Sequence, residues 1–216
     1  MVGRRFRGRS GTGSSRRATA GIAGWSPPYG ASTHEERRIV AAREARQAAV
    51  DRHRGVGWTL VTLSIAVPGS RTPAPGAGAL FAWAAREVAR AFPDARRLGI
   101  FVDALGPFAL WHTSTWWDSA KARCVALEAS RPAARLVNLD VYSPEGAPVD
   151  RGSLLLPPRR CLCCDGPARE CIRLGAHAVA ELAAKARELL AEVERARGAA
   201  SGRAPMSGGR TPGDLP

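Results

Sequence analysis

The sequence predicts one α+β domain, a mixed or antiparallel sheet with flanking helices and a long C-terminal helix, set between disordered tails. Three observations carry this expectation. Segments of helical and of strand character are mixed without the regular βαβ alternation of a parallel sheet. "ARLVNLDVYSPEG" followed by "PVDRGSLLL" reads as a hairpin turning at Pro144-Glu145-Gly146. In "AHAVAELAAKARELLAEVERAR" the apolar residues Val179, Leu182, Ala186, Leu189, Leu190 and Val193 recur at spacings of three and four, the period of one helix face.

Residues 1–33 are rich in Gly, Ser and Arg and are expected to form a disordered basic arm, with "WSPPYG" excluding regular structure just before the domain. Thr33 with Glu36 three residues on is a capping box. Behind it Ile39, Val40, Ala42, Ala49 and Val50 form a thin apolar stripe, which predicts a helix over 34–53. "WTLVTLSIAVPG" carries Trp58, Leu60, Val61 and Ile65 and stops at Pro68-Gly69, as a strand does. A Pro/Gly loop over 70–78 leads into "ALFAWAAREVARAF", an amphipathic helix ended by Pro93. "RLGIFVDAL" reads as a strand ending near Asp103, and "FALWHTSTWW" and "KARCVALEA" as further strands. The last residues, 198–216, are a Gly/Pro/Ser-rich tail, so the folded domain is placed at 34–197.

Hydrophobic residues make up 45% of the 216 and charged residues 24%, enough apolar content for a core and too much for a disordered chain. No apolar run approaches the ~20 residues of a membrane span. The net charge is +13, and only Lys121 and Lys185 are lysines. Arginine grips phosphate in two-pronged fashion, so an anionic substrate or an acidic partner fits, although a solvated basic surface accounts for the same charge. Six arginines of this excess lie in the first 34 residues, in the arm and not on a folded face, which argues against nucleic acid as the partner. Arg4-Arg5 is followed by no apolar core, so it is not read as an export signal, and a cytoplasmic protein is expected.

Four of the five cysteines and one histidine fall within "RRCLCCDGPARECIRLGAH", spaced Cys161-x2-Cys164-x6-Cys171-x5-His177. Three thiolates and an imidazole make a tetrahedral zinc set, with Cys163 spare. A redox pair at Cys161 and Cys164, or small buried thiols with His177 at a helix start, fit the same spacing. Elsewhere, Asn138 and Asp140 share one face of a strand, because side chains alternate with period two. A carboxylate pair so placed grips Mg²⁺ in phosphoryl transfer, and a polar outer face needs no metal at all. Arg43 and Arg46, Arg135 just before that strand, Arg159 and Arg160 beside the cysteines, and Arg173 are the candidate phosphate ligands.

At "ARLVNLDVYSPEG" and "LPPRRCLCC" with the later Cys and His, the chain resembles the apo-citrate lyase phosphoribosyl-dephospho-CoA transferase family, the holo-citrate lyase synthases. That family carries a Gly-Arg-Leu-x-Asp-x-Asp-Val strand, a Pro-Glu-Gly turn, Arg-x-Cys-Leu-x-Cys, a later Cys-x-Arg and a His opening the last helix. This sequence supplies Arg135-Leu136, Asp140-Val141, Pro144-Glu145-Gly146, Arg159-Arg160-Cys161-Leu162, Cys164, Cys171-x-Arg173 and His177. "AREARQ", "TLSIAVPG" and "LGP" are weaker matches upstream, and the resemblance spans about residues 35–197. It departs at Ala134 for a glycine, at Asn138 for the first strand carboxylate, at Ala48-Ala49 for an arginine-glutamine, and after Pro-Gly, where Arg71 lies near an absent lysine.

The resemblance implies a nucleotidyltransferase-type enzyme. It would move the phosphoribosyl-dephospho-CoA group from 2'-(5''-triphosphoribosyl)-3'-dephospho-CoA to a serine of the citrate lyase acyl carrier subunit, releasing diphosphate. Mg²⁺ would sit on Asp140 with help from Asn138, and the six arginines would hold phosphate oxygens. The cysteines then belong to a shared pattern, which leaves structural zinc or a structural thiol cluster. Two other readings stand beside it: a weakened relative that binds the carrier or dephospho-CoA, motivated by Asn138, and a zinc-containing nucleic-acid binder.

Overall fold

The computed structural model describes residues 33–69 and 74–201. The expected basic arm before Thr33, the loop residues 70–73 and the tail beyond Ser201 lie outside the described residues. Helix α1 (His34–His53) begins on the capping box: Thr33 Oγ1 accepts from Glu36 N at 3.2 Å, and Glu36 Oε2 accepts from Thr33 N at 2.7 Å. Two orphan N–H groups are thereby satisfied at the helix start. The order continues β1 (Thr59–Ile65), α2 (Ala77–Ala91), β2 (Arg96–Asp103), β3 (Gly106–Thr113), α3 (Trp117–Ala129), a 3₁₀ turn (Pro132–Leu136), β4 (Val137–Tyr142), β5 (Pro148–Val149), α4 (Ala168–Leu174) and α5 (Val179–Ser201).

The strands form one sheet in the order β2-β3-β1-β4-β5, antiparallel at every pairing. Period-two alternation splits its side chains between two layers. On one face Val61, Leu63, Trp111, Leu139 and Val141 are buried against Leu80, Ala84 and Val88 of α2, Cys124 and Leu127 of α3, and Leu189 and Leu190 of α5. Each fully buried Leu or Val there contributes roughly 1.5–3 kcal/mol. On the other face Leu60, Phe108 and Leu110 pack on Val50 of α1. Gly76 starts α2 at φ +80°, and a Cβ there would lie 2.9 Å from the Leu190 carbonyl, so only glycine permits this approach of α2 to α5.

Two expectations are corrected. "KARCVALEA" is helix, not strand: Ala120, Lys121, Cys124, Leu127 and Glu128 are buried along one side of α3, and the segment is built of strong helix formers with a single β-branched residue. The return strand of the hairpin stops after Val149, because Asp150 Oδ1 accepts from Ser153 N at 2.8 Å and folds the chain into a turn. Helix α5 begins at Val179 and runs to Ser201, past the expected end at 197. Among the described residues no helix is long and apolar enough to cross a membrane.

Candidate functional site

Strand β4 presents its polar residues on the α1 side of the sheet, where Asn138 pairs across β1 with Ser64 and Asp140 with Thr62. Asn138 Nδ2 donates to Asp140 Oδ2 at 2.8 Å, and Arg159 Nη1 donates to Asn138 Oδ1 at 3.0 Å. Asp140 is exposed. Burial first, and then the Asp140 charge, push the Tyr142 phenol above its ordinary value.

The outer edge of β4 lacks a partner strand before β5, and side chains take its place. Glu128 Oε1 accepts from Leu139 N at 2.8 Å, Lys121 Nζ donates to the Leu139 carbonyl at 3.2 Å, and Arg159 Nη2 donates to the Val137 carbonyl. Glu128 is itself paired with Arg151 and lies 3.5 Å from Arg159. Glu128 is only 7% exposed, so its cationic partners are a condition of its burial.

Beside this edge lies a cleft of about 620 Å³. It is lined by five arginines, Arg131, Arg135, Arg151, Arg159 and Arg160, with Glu128 and Asp165 as its acids. Arg131 stacks 4.6 Å above Trp83, and Arg160 reaches Asp165 at 3.6 Å. Arg135 differs from the rest. Its Nε and Nη2 are buried without any hydrogen-bond partner. A guanidinium cannot shed its charge, so buried unpaired donors call for an acceptor from outside the chain.

The other candidates are placed elsewhere. Arg46 donates to both Asp103 carboxylate oxygens and to the Gly106 carbonyl, each at 2.7 Å, and covers the Phe108 ring at 4.9 Å. It fastens α1 to the β2–β3 turn. Arg43 is exposed one turn earlier on α1, and Arg173 holds Glu170 of its own helix at 2.8 Å. None of these three lines the cleft. Sequence reasoning missed Arg131, Arg151 and Lys121 as site residues. Reading 121–129 as a helix would have put Lys121 and Glu128 on one face.

The cysteine cluster closes on itself. Cys164 Sγ lies 3.5 Å from Cys171 Sγ and 3.4 Å from His177 Nε2, and the ligand atoms of Cys161, Cys164, Cys171 and His177 all fall within 4.8 Å of one another. All five cysteines are free thiols. Burial pushes the Cys161 thiol up, but N–H groups of Cys163 and Cys164 and the neighbouring thiols outweigh it and bring it to about 7. The hydrogen bond with Cys164, then burial, raises Cys171 to about 12.

Fold and site together define an α+β protein with a cationic cleft beside an exposed strand carboxylate and a Cys₃His cluster. A family model described as apo-citrate lyase phosphoribosyl-dephospho-CoA transferase matches residues 35–193, and the chain belongs to that family. Curated relatives of that name from Escherichia coli O9:H4 (strain HS), Escherichia coli O157:H7 (strain EC4115 / EHEC) and Shigella boydii serotype 18 are each 36% identical over 93 residues, 43% of this chain. The match spans 51% of each relative, about half its length.

Proposed function

We propose that this protein is a holo-citrate lyase synthase. It would transfer phosphoribosyl-dephospho-CoA from 2'-(5''-triphosphoribosyl)-3'-dephospho-CoA to a serine of the citrate lyase acyl carrier subunit. The observation that carries the reading is the arginine-rich cleft, one of whose lining residues, Arg135, has a buried and unpaired Nε and Nη2. A triphosphate supplies many acceptor oxygens and several negative charges, which suits a cleft of five guanidinium groups. Arg159 links that cleft to Asn138 and so to Asp140.

In this reaction the serine oxygen forms a bond to the α-phosphorus, the phosphorus–diphosphate bond breaks, and the serine proton passes to water. Little covalent work falls to the protein, so its contribution is positioning and charge stabilisation. Arg135 and Arg159 would bind phosphate oxygens, and Arg160 and Arg131 would close the rim. Mg²⁺ fits Asp140, an exposed carboxylate, because this ion takes one or two carboxylates and fills its shell with water and phosphate. Bound there, it would neutralise charge on the phosphate chain. Asn138 fits a ligand's role less well, since its carbonyl oxygen is taken by Arg159 and its amide is turned to Asp140. It orients the carboxylate. Acyl carrier proteins are generally acidic, and the basic face suits their approach.

Diphosphate release tests the proposal. It should require both precursor and carrier subunit, and should vanish when the acceptor serine of the carrier is replaced by alanine. The amide at Asn138 favours a second reading, a relative that binds the dephospho-CoA moiety without transfer. Binding of the precursor with no diphosphate formed would select it.

A further inference from the structure

We propose that Cys161, Cys164, Cys171 and His177 bind one structural Zn²⁺, and that this ion pins the strap carrying Arg159 and Arg160 against β4. Tetrahedral zinc with Zn–S of ~2.3 Å sets sulfur–sulfur edges of ~3.8 Å and sulfur–nitrogen edges of ~3.5 Å. The contacts of 3.5 Å between Cys164 and Cys171 and 3.4 Å between Cys164 and His177 lie close to those edges, and all four ligand atoms fall within 4.8 Å of one another.

The backbone around the cluster is arranged for the same end. Cys161 N donates to the Gly166 carbonyl at 2.7 Å and Ala168 N to the Arg159 carbonyl at 2.8 Å, forming a tight knuckle. Gly175, at φ +59°, then ends α4, and Ala176 N donates to the Cys171 carbonyl at 2.9 Å. This reversal returns the chain so that His177 faces the thiols. With Nε2 toward Cys164, the other ring nitrogen Nδ1 lies 3.4 Å from Glu181. A carboxylate behind the imidazole fixes the tautomer that leaves Nε2 free for a metal. Cys163, His177 and Glu181 also converge, but that set offers only three ligands and shares His177. Three thiolates and one imidazole form a closed, soft set that selects zinc for structure.

The need for an ion is visible in the packing. Helix α4 buries none of its residues, with Ile172 79% and Leu174 65% exposed. Cys161, at 2% exposed, is the deepest side chain of the knuckle. A segment with so little core is held by metal bonds in small metal-stabilised folds. Arg159 and Arg160 immediately precede Cys161, so the ion would anchor the strap at its C-terminal end. This inference does not depend on the transferase activity.

The test is elemental analysis of the full chain, purified under reducing conditions, followed by Co²⁺ replacement. One equivalent of zinc and a tetrahedral Co²⁺ spectrum with thiolate charge-transfer bands are expected. Cys163→Ser should keep the full equivalent, and Glu181→Gln should weaken affinity by ~10–100-fold. Cys171→Ser should weaken it far more. If that variant fails to fold, chelation of the unaltered protein replaces it, and protease cleavage should then appear within 157–178 while the sheet stays intact. Metal-free protein overturns the proposal, as does a Co²⁺ spectrum without thiolate bands, loss of metal in Cys163→Ser, or unchanged protease resistance after chelation.

Discussion

Arg159 donates to Asn138 Oδ1 at 3.0 Å, which leaves the Asn138 amide no orientation but toward Asp140, reached at 2.8 Å. A cation on one side and a carboxylate on the other thus polarise a single amide. The strap next to the cysteines, the cleft and the polar face of β4 are joined through this residue.

Replacing that amide by a second acid is the first informative change. In Asn138→Asp two carboxylates face each other, and repulsion disfavours having both ionised unless a cation lies between them. The variant should be less heat-stable than the parent without Mg²⁺ and should gain more from it. Thermal midpoints across a Mg²⁺ series check this. Equal Mg²⁺ responses would mean that the ion does not approach this face.

Arg135 should exchange stability for function. In Arg135→Met a half-buried cation whose Nε and Nη2 lack partners becomes an apolar side chain, which should raise the thermal midpoint by ~2–4 °C. The same change removes charged hydrogen bonds to phosphate and should lower kcat/KM for the precursor by ~10–100-fold. A destabilised variant with unaltered kinetics would make Arg135 a structural residue.

Glu128 holds the edge of β4 and the two arginines that share it. Glu128→Gln keeps the bond from Leu139 N but leaves Arg151 and Arg159 without their counter-charge. Breaking a fully buried pair costs ~3–5 kcal/mol, and here the partners are partly exposed, so about 2 kcal/mol is expected. Urea unfolding measures it. The companion change Lys121→Met should cost less, because a single neutral carbonyl is left behind.

Acid should act through Asp94. The Ser114 side chain, ahead of its backbone N–H and the Thr113 hydroxyl, holds this carboxyl at about 2 against an ordinary 3.8. A depressed folded value means stability that is fully present above the ordinary value and lost as pH falls through about 2. The stability gap between the parent and Asp94→Asn should therefore be constant above pH ~5 and shrink between pH ~4 and ~2. Denaturant midpoints at several pH values give the gap, and one that stays flat through that window would show that charge is not the cause.

Legibility in the sequence followed the range of the interactions. Helix α1 was readable to the residue because Thr33 and Glu36 announce its start within one turn. The shared face of Asn138 and Asp140 followed from strand alternation alone, whereas the spacing of Cys161, Cys164, Cys171 and His177 fitted a metal set, a redox pair or buried thiols alike, and only the fold brings the four side chains together. Segment 121–129 was misread because nine residues of mixed character fit either period, and with it went the place of Glu128. The role of Arg46 was hidden by its partner, 57 residues away. Arg135 looked like any arginine before a strand until the 3₁₀ turn buried its Nε and Nη2.

The central claim is that Asp140 serves a transferase. The most direct measurement is the intact mass of the citrate lyase acyl carrier subunit after incubation with the triphosphoribosyl precursor, Mg²⁺ and this protein. With the unaltered chain the carrier should gain the mass of the phosphoribosyl-dephospho-CoA group. With Asp140→Asn, folded but lacking that charge, the rate should fall by ~10²-fold or more, the usual cost of losing a major transition-state stabiliser. A carrier that gains no mass from the unaltered protein, or that is modified equally fast by Asp140→Asn, would contradict the account.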